Sequence, residues 1–269
     1  MPAAIRRAQI LERIRREGGA SVAELARVHD VSSITVHRDL ERLAHEGLVE
    51  RIHGGARALG SEPEAIETDW TQRLRSAWPE KEAIAARAIE WIEEGSTIFV
   101  DSSTSSLALA REIERRPPKA LTLVTNSPAI AMELHAESIH LIVTPGEVDQ
   151  NLRMIGGRWA AEFVSGLNFS AAFISAAGIT LELGLTTSRR PLADTLNAAR
   201  TVSTRTIGLI DSTKFGRSSL LGIVAAEELD AIVVDGGLPE RTAEAYRSAG
   251  VNLVQANHAP DLPVTVARR

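Results

Sequence analysis

Ser32-Ser33-Ile34-Thr35-Val36-His37-Arg38-Asp39-Leu40 is the stretch on which the reading of the first sixty residues turns. Ser32 or Ser33 can cap a helix that runs to about Glu46, because a serine oxygen takes up a free N–H of the first turn. Val36, Leu40 and Leu43 recur at helical spacing and point to one face. Ser33, Thr35, His37, Arg38 and Arg42 fall on or near the opposite face. Upstream, Ile5, Ile10, Leu11 and Ile14 give a first amphipathic helix that Gly18-Gly19 stops. Ser21 with Glu24 has capping-box spacing ahead of Leu25 and Val28, and His29-Asp30 makes a tight turn. Downstream of Gly47, Leu48-Val49-Glu50-Arg51-Ile52 alternates and meets His53-Gly54-Gly55-Ala56-Arg57, which reads as a β-hairpin wing.

A short helix, a turn and a longer helix with an exposed Arg/His/Ser/Thr face form a helix-turn-helix, whose second helix enters the DNA major groove. There an arginine can take guanine O6 and N7, and hydroxyls can serve phosphates or base edges. The expected DNA contacts are Ser32, Ser33, Thr35, His37, Arg38 and Arg42, with Arg51, His53, Gly54 and Gly55 of the wing. The expected partner is a double-stranded DNA operator. The competing reading is a dimerisation module with a solvated basic face.

Composition fits two soluble domains. The chain has 269 residues, 44% of them hydrophobic and 24% charged. No apolar run approaches the roughly 18–20 residues that span a bilayer, and the arginine-rich start lacks the apolar core of a signal peptide. The expectation is a cytoplasmic protein with no membrane partner. There is no cysteine, which removes disulfides and thiolate metal sites. Net charge is −5, yet residues 1–58 hold ten arginines against eight acids. A polyanion would therefore meet that end first. The seven histidines share no ligand geometry, and neither a dinucleotide fingerprint nor a P-loop lysine motif is present. No metal and no cofactor is expected.

Residues 59–78 read as a linker, polar and turn-prone at Leu59-Gly60-Ser61-Glu62-Pro63-Glu64, with Trp70 and Trp78 as packing anchors. From 79 to 258, helices alternate with short β-branched strands at 97–100, 121–124, 139–143, 171–174, 206–210 and 231–234. That alternation implies a mostly parallel, Rossmann-like sheet covered on both faces. Residues 259–269 read as a frayed tail. Such sheets bind ligands beyond the carboxyl ends of their strands, where polar residues gather in this sequence. Asp101, Ser102, Ser103, Thr104 and Ser105 follow the first strand and open a helix, whose N-terminus suits an anion. Thr125, Asn126 and Ser127, Gly146, Gly178 and Lys214 lie after later strands. Together they are the expected effector site.

The first segment resembles the DeoR/GlpR family of bacterial regulators. Thr35 to Leu40, then Leu43, Gly47, Leu48, Arg51 and His53-Gly54-Gly55-Ala56, follow that family's signature, with His37 where a second arginine is usual. Arg73 and Lys81 resemble basic positions at the start of the family's second domain. Asp101, Thr104, Thr125, Asn126, Ser127, Gly146, Gly178, Asp211, Lys214, Phe215 and Gly216 match its sensor domain. That domain is similar in fold to ribose-5-phosphate isomerase and senses phosphorylated sugars or related metabolites. Ser103, Pro145, Asp149, Ala177 and Leu196 depart from the family pattern, at places where glycine, glycine, arginine, an acid and lysine are common. The resemblance implies no catalytic residues. It implies a homo-oligomeric repressor, dimer or tetramer, of carbohydrate-metabolism genes, whose DNA binding an effector modulates. The alternative is a sugar-phosphate isomerase-like enzyme with an appended DNA-binding module. It would need an acid beside the reacting carbon, and Ala177 takes the place of the most obvious one.

Overall fold

Apolar periodicity places the first three helices, and their caps and turns set where they end. In the computed structural model, which describes residues 3–17, 19–52, 55–58 and 70–256, α1 spans Ala3–Glu17, α2 Val22–His29 and α3 Ser33–His45. Ile10, Ile14, Leu25, Val36, Leu40 and Leu43 are all buried in one small core. Between α2 and α3 the chain turns at Asp30 (φ +50°), and Val31 N–H donates to Ala26 C=O at 3.0 Å. Gly47 (φ +66°) ends α3: its N–H reaches Ala44 C=O, and Leu48 N–H reaches Leu43 C=O. Those two bonds are a Schellman motif, which favours glycine.

The wing has three strands, one more than the hairpin expected. β1 (Gly19–Ser21) pairs antiparallel with β3 (Gly55–Ala58), and β3 pairs antiparallel with β2 (Val49–Ile52). Ile52 faces Gly55, so two residues, His53 and Gly54, join the strands. Both lie outside the described residues.

The chain divides into two compact units, residues 1–66 and 67–269. In the second, two helices lead: α4 (Trp70–Arg75) and α5 (Trp78–Ala88). Then come β4 (Thr97–Val100), α6 (Thr104–Arg115), β5 (Leu121–Thr125), α7 (Pro128–Glu133) and β6 (Ile139–Val143). A small antiparallel pair follows, β7 (Glu147–Asp149) with β8 (Met154–Gly156), and then α8 (Arg158–Ser165) and β9 (Ala171–Ile174). β10 (Gly178–Thr180), β11 (Gly184–Thr187), α9 (Arg190–Thr201), β12 (Thr206–Leu209) and β13 (Leu221–Val224) come next. β14 (Ala231–Asp235), α10 (Glu240–Ser248) and β15 (Leu253–Ala256) complete the unit.

Seven strands form one parallel sheet in the order β15-β14-β12-β9-β4-β5-β6. Side chains alternate between its faces. Ile98, Val100, Phe173 and Leu209 pack with α5 and α6, while Phe99, Ile174, Ile232 and Val234 join Val164, Leu196 and Ala243 of α8, α9 and α10. From β4 the chain winds through β5 to β6 on one side. From β9 it winds through β12 and β14 to β15 on the other. The order therefore reverses between β4 and β9, and a crevice opens beyond strand ends at such a point. β10, β11 and β13 make a separate antiparallel sheet.

Of the linker expected at 59–78, residues 70–78 pack within the α/β unit. Trp70 is buried in the second unit's core, its backbone N–H donates to Asn151 C=O, and Arg153 stacks over its ring at 4.5 Å. Residues 70–78 thus belong to the α/β unit, held there by contacts with segments far along the chain. Residues 59–69 and the tail at 259–269 lie outside the described residues.

Candidate functional site

The face expected to meet DNA is built on α3. Ser32 caps it, its Oγ accepting from Thr35 N–H, and the two hydroxyls lie 2.9 Å apart. The rotation of the helix about its axis is fixed by Asp39, which is buried and accepts from Arg6 Nε of α1 at 2.5 Å. With Asp39, Val36, Leu40 and Leu43 turned inward, Ser33, Ile34, His37, Arg38 and Arg42 are exposed. Arg42 bonds Glu46 at 2.7 Å, one turn on. Ile34 was absent from the expected contacts although it is the most exposed large apolar residue of this helix, at 67%. Its signal was an isoleucine off the apolar face. Arg51 lies on β2, and His53 and Gly54 fall outside the described residues.

The second candidate site lies where β4 and β9 end. Asp101 is buried and joins both sides of the crevice: Oδ1 accepts from Ser103 N–H at 2.9 Å and Ser106 Oγ at 2.6 Å, Oδ2 from Ser175 N–H at 2.7 Å. Ser175 Oγ in turn accepts from Lys214 Nζ at 2.9 Å and donates to Leu209 C=O. Lys214 Nζ lies 3.7 Å from Asp211 Oδ2. Burial lowers the Lys214 pKa, with Asp211 opposing the shift. Burial also works to raise Asp211, but Lys214, Thr213 and Lys81 outweigh it and leave its carboxyl below the usual range.

Lys81 extends the cluster from the helix side. It is 3% exposed, and its ammonium donates to the carbonyls of Arg73 (2.7 Å) and Ser76 at the end of α4. Burial pushes its pKa down to about 8, while Asp211 pulls it back up and Lys214 and Arg73 add to the fall. Arg73, Lys81 and Lys214 thus lie near enough to feel one another's charge beside Asp101 and Asp211. The first turn of α6 and the ends of β5 and β6 add three buried oxygens with no hydrogen-bond partner among the described residues: Ser105 Oγ, Asn126 Oδ1 and Thr144 Oγ1.

Comparison with known proteins settles the kinship of both units. The DeoR-like helix-turn-helix domain matches residues 6–62, and the DeoR C terminal sensor domain matches residues 77–236. The chain belongs to the DeoR family. The HTH-type transcriptional regulator GlpR of Haloferax volcanii is 32% identical over 93% of this chain and 96% of its own length. The HTH-type transcriptional regulator GolR of Listeria innocua is 30% identical over 91% and 96%. The glycerol-3-phosphate regulon repressor of Escherichia coli is 30% identical over 86% and 90%. This DeoR-family chain is a DNA-binding transcriptional regulator, and the enzyme reading is set aside because the kinship is with regulators. Among the described residues, no three or more His, Asp or Glu side chains are grouped to hold a metal, and no helix is long and apolar enough to cross a membrane.

Several expected effector residues of this DeoR-family sensor have structural tasks. Ser103 Oγ caps α6 by accepting from Ser106 N–H, and Ser127 Oγ caps α7 by accepting from Ile130 N–H. Thr125 Oγ1 donates to Val100 C=O and accepts from Ser127 N–H, locking β5 to β4. A Cβ on Gly146 would lie 2.5 Å from Gly156 O, and one on Gly178 would lie 2.4 Å from Arg217 O, so both serve close backbone approach. Ser102, Thr104 and Ser105 are buried at the α6 N-terminus. Asp149 accepts from Asn151 and Leu152 N–H, and Leu196 is a core residue of α9. Arg73, Lys81 and Lys214 were each marked in the sequence, but their convergence was not, because α4 is too short to show periodicity.

Proposed function

We propose that this chain represses carbohydrate-metabolism genes as a homo-oligomer, and that a phosphorylated sugar or related anion at the strand ends of the sensor modulates its grip on DNA. The carrying observation is the meeting of Lys214 and Lys81 with Arg73 at the β4/β9 reversal, the place where open α/β sheets take ligands. Cations with lowered pKa values gain by receiving a dianion, and the first turn of α6 offers N–H groups beside them. The unpartnered oxygens of Ser105, Asn126 and Thr144 suit sugar hydroxyls. The relatives named for regulons support repression. Paired recognition helices on repeated half-sites call for an oligomer.

The departures at Ser103, Pro145, Asp149, Ala177 and Leu196 favour an effector other than the family's commonest, or a phosphate held differently. The test is a thermal-shift panel of sugar phosphates on the full chain and on Lys214→Met. A ligand hundredfold above its Kd adds about 2.7 kcal/mol, or roughly 5–10 °C of Tm. Wild type should shift with at least one sugar phosphate and Lys214→Met should not. A panel that shifts neither protein, or both equally, contradicts the site. Ordinary micromolar stabilisation by the usual family ligands would count against the altered pocket.

A further inference from the structure

We propose that Ile34 reads the 5-methyl group of a thymine in the operator, next to the base that Arg38 reads. Ile34 sits in the first turn of α3 and is 67% exposed, whereas Val36, Leu40 and Leu43 of the same helix are 3% exposed or less. A β-branched side chain lowers helix propensity and here gains little packing in return. Its direction is fixed from behind. The Asp39–Arg6 bond sets the rotation of α3, and the Ser32–Thr35 cap sets where it starts.

The choice of base follows from which groups the first two turns leave facing out. The Ser32 and Thr35 hydroxyls face each other in the cap, and Arg42 turns back to Glu46. The row Ile34, Arg38, Arg42 then presents one apolar and one guanidinium group ahead of that ion pair. Major-groove edges offer a single large apolar feature, the thymine methyl, and the guanine O6/N7 pair suits arginine. Four helical residues advance about 6 Å, close to two base-pair steps of about 3.4 Å. The thymine therefore lies one or two base pairs from the guanine.

The test uses the full chain and an operator selected from random duplex DNA. Each thymine of a half-site is replaced in turn by uracil, which removes only the methyl, and each guanine by 7-deazaguanine. Kd is measured by anisotropy at fixed salt for wild type, Ile34→Ala, Ile34→Val and Arg38→Ala. At one thymine per half-site, uracil should weaken wild type about fivefold, the scale of one lost methyl contact. Ile34→Ala should lose about fivefold on the thymine operator and be indifferent to uracil there, with Ile34→Val between. The guanine whose deaza substitution no longer matters to Arg38→Ala should lie within two base pairs. Equal uracil effects in wild type and Ile34→Ala at every thymine would overturn the proposal, as would a half-site with no thymine in that window. Ile34 is exposed, so the melting temperature of Ile34→Ala should match wild type and separate a lost contact from a lost fold.

Discussion

Asp101 and Lys81 show how single buried charges organise the sensor. Asp101 accepts from Ser103 N–H, Ser106 Oγ and Ser175 N–H, so Asp101→Ala strands three donors at the junction of β4, β9 and α6. Hydrogen bonds to charged groups contribute about 1.5–3 kcal/mol and buried unmet donors cost about 1–3 kcal/mol. Urea unfolding should show a loss of about 3–5 kcal/mol; a loss under 1 kcal/mol would show that the carboxylate does not hold the junction. Lys81 carries a pH signature. Its folded pKa is about 8 against 10.5 for the ordinary side chain. Below about pH 8 both states are protonated, and the cost of burying the charge is present in full. Between about 8 and 10.5 the unfolded chain holds the extra proton, so stability rises with pH. Lys214, also lowered by burial, adds to the same slope. Lys81→Met should therefore flatten part of the rise expected between pH 8 and 10 in wild type. An unchanged slope would remove Lys81 from the account. The sequence marked Asp101 by its place after a strand, but the partner that makes Lys81 unusual, the end of α4, was legible only in three dimensions.

At the scale of elements, caps and close approaches decide what can be changed. Ser103 stands where the family commonly has glycine, and it caps α6. Glycine at an N-cap costs only a few tenths of a kcal/mol and alanine about 1 kcal/mol. Ser103→Gly should be nearly neutral in thermal unfolding and Ser103→Ala clearly worse. The reverse order would mean that Ser103 is not an N-cap. Gly146→Ala should cost about 2–3 kcal/mol, because its φ of +147° disfavours a side chain and the new Cβ meets Gly156 O. Near-neutral stability there would show that the turn into β7 can yield. Element type was readable wherever apolar periodicity ran long enough, as in α3, α6 and the six strands expected. It failed for β7, β8, β10, β11, β13, β15 and α4, which are three to six residues long. Glycines such as Gly178, Gly184 and Gly222 lower strand propensity, and such pieces take their form from distant partners.

For the whole molecule, two activities were legible in the sequence to different depths. The DNA-reading unit is local, so its helices, turn and wing follow from neighbouring residues, apart from β1, whose partner strand β3 lies far along the chain, Ser21 facing Gly55 and Gly19 facing Arg57. The sensor's parallel sheet was implied by alternation, yet the β4/β9 reversal beside the candidate site depends on strand order, which local pattern does not encode. If the sensor governs DNA binding, the effector must favour one state by about 1.4 kcal/mol to change operator affinity tenfold. Titrating the best stabilising sugar phosphate into an operator complex should show at least that change in wild type and none in Lys214→Met. A saturating ligand that leaves affinity untouched would uncouple the two units.

The most direct measurement is the Kd of the full chain for its selected operator and for unrelated DNA at one fixed salt, wild type against Arg38→Ala. A lost base contact costs about 1–3 kcal/mol, so the specific site should weaken roughly five- to 150-fold and unrelated DNA far less. Equal affinity of the two proteins for the specific site would contradict α3 as the helix that reads DNA.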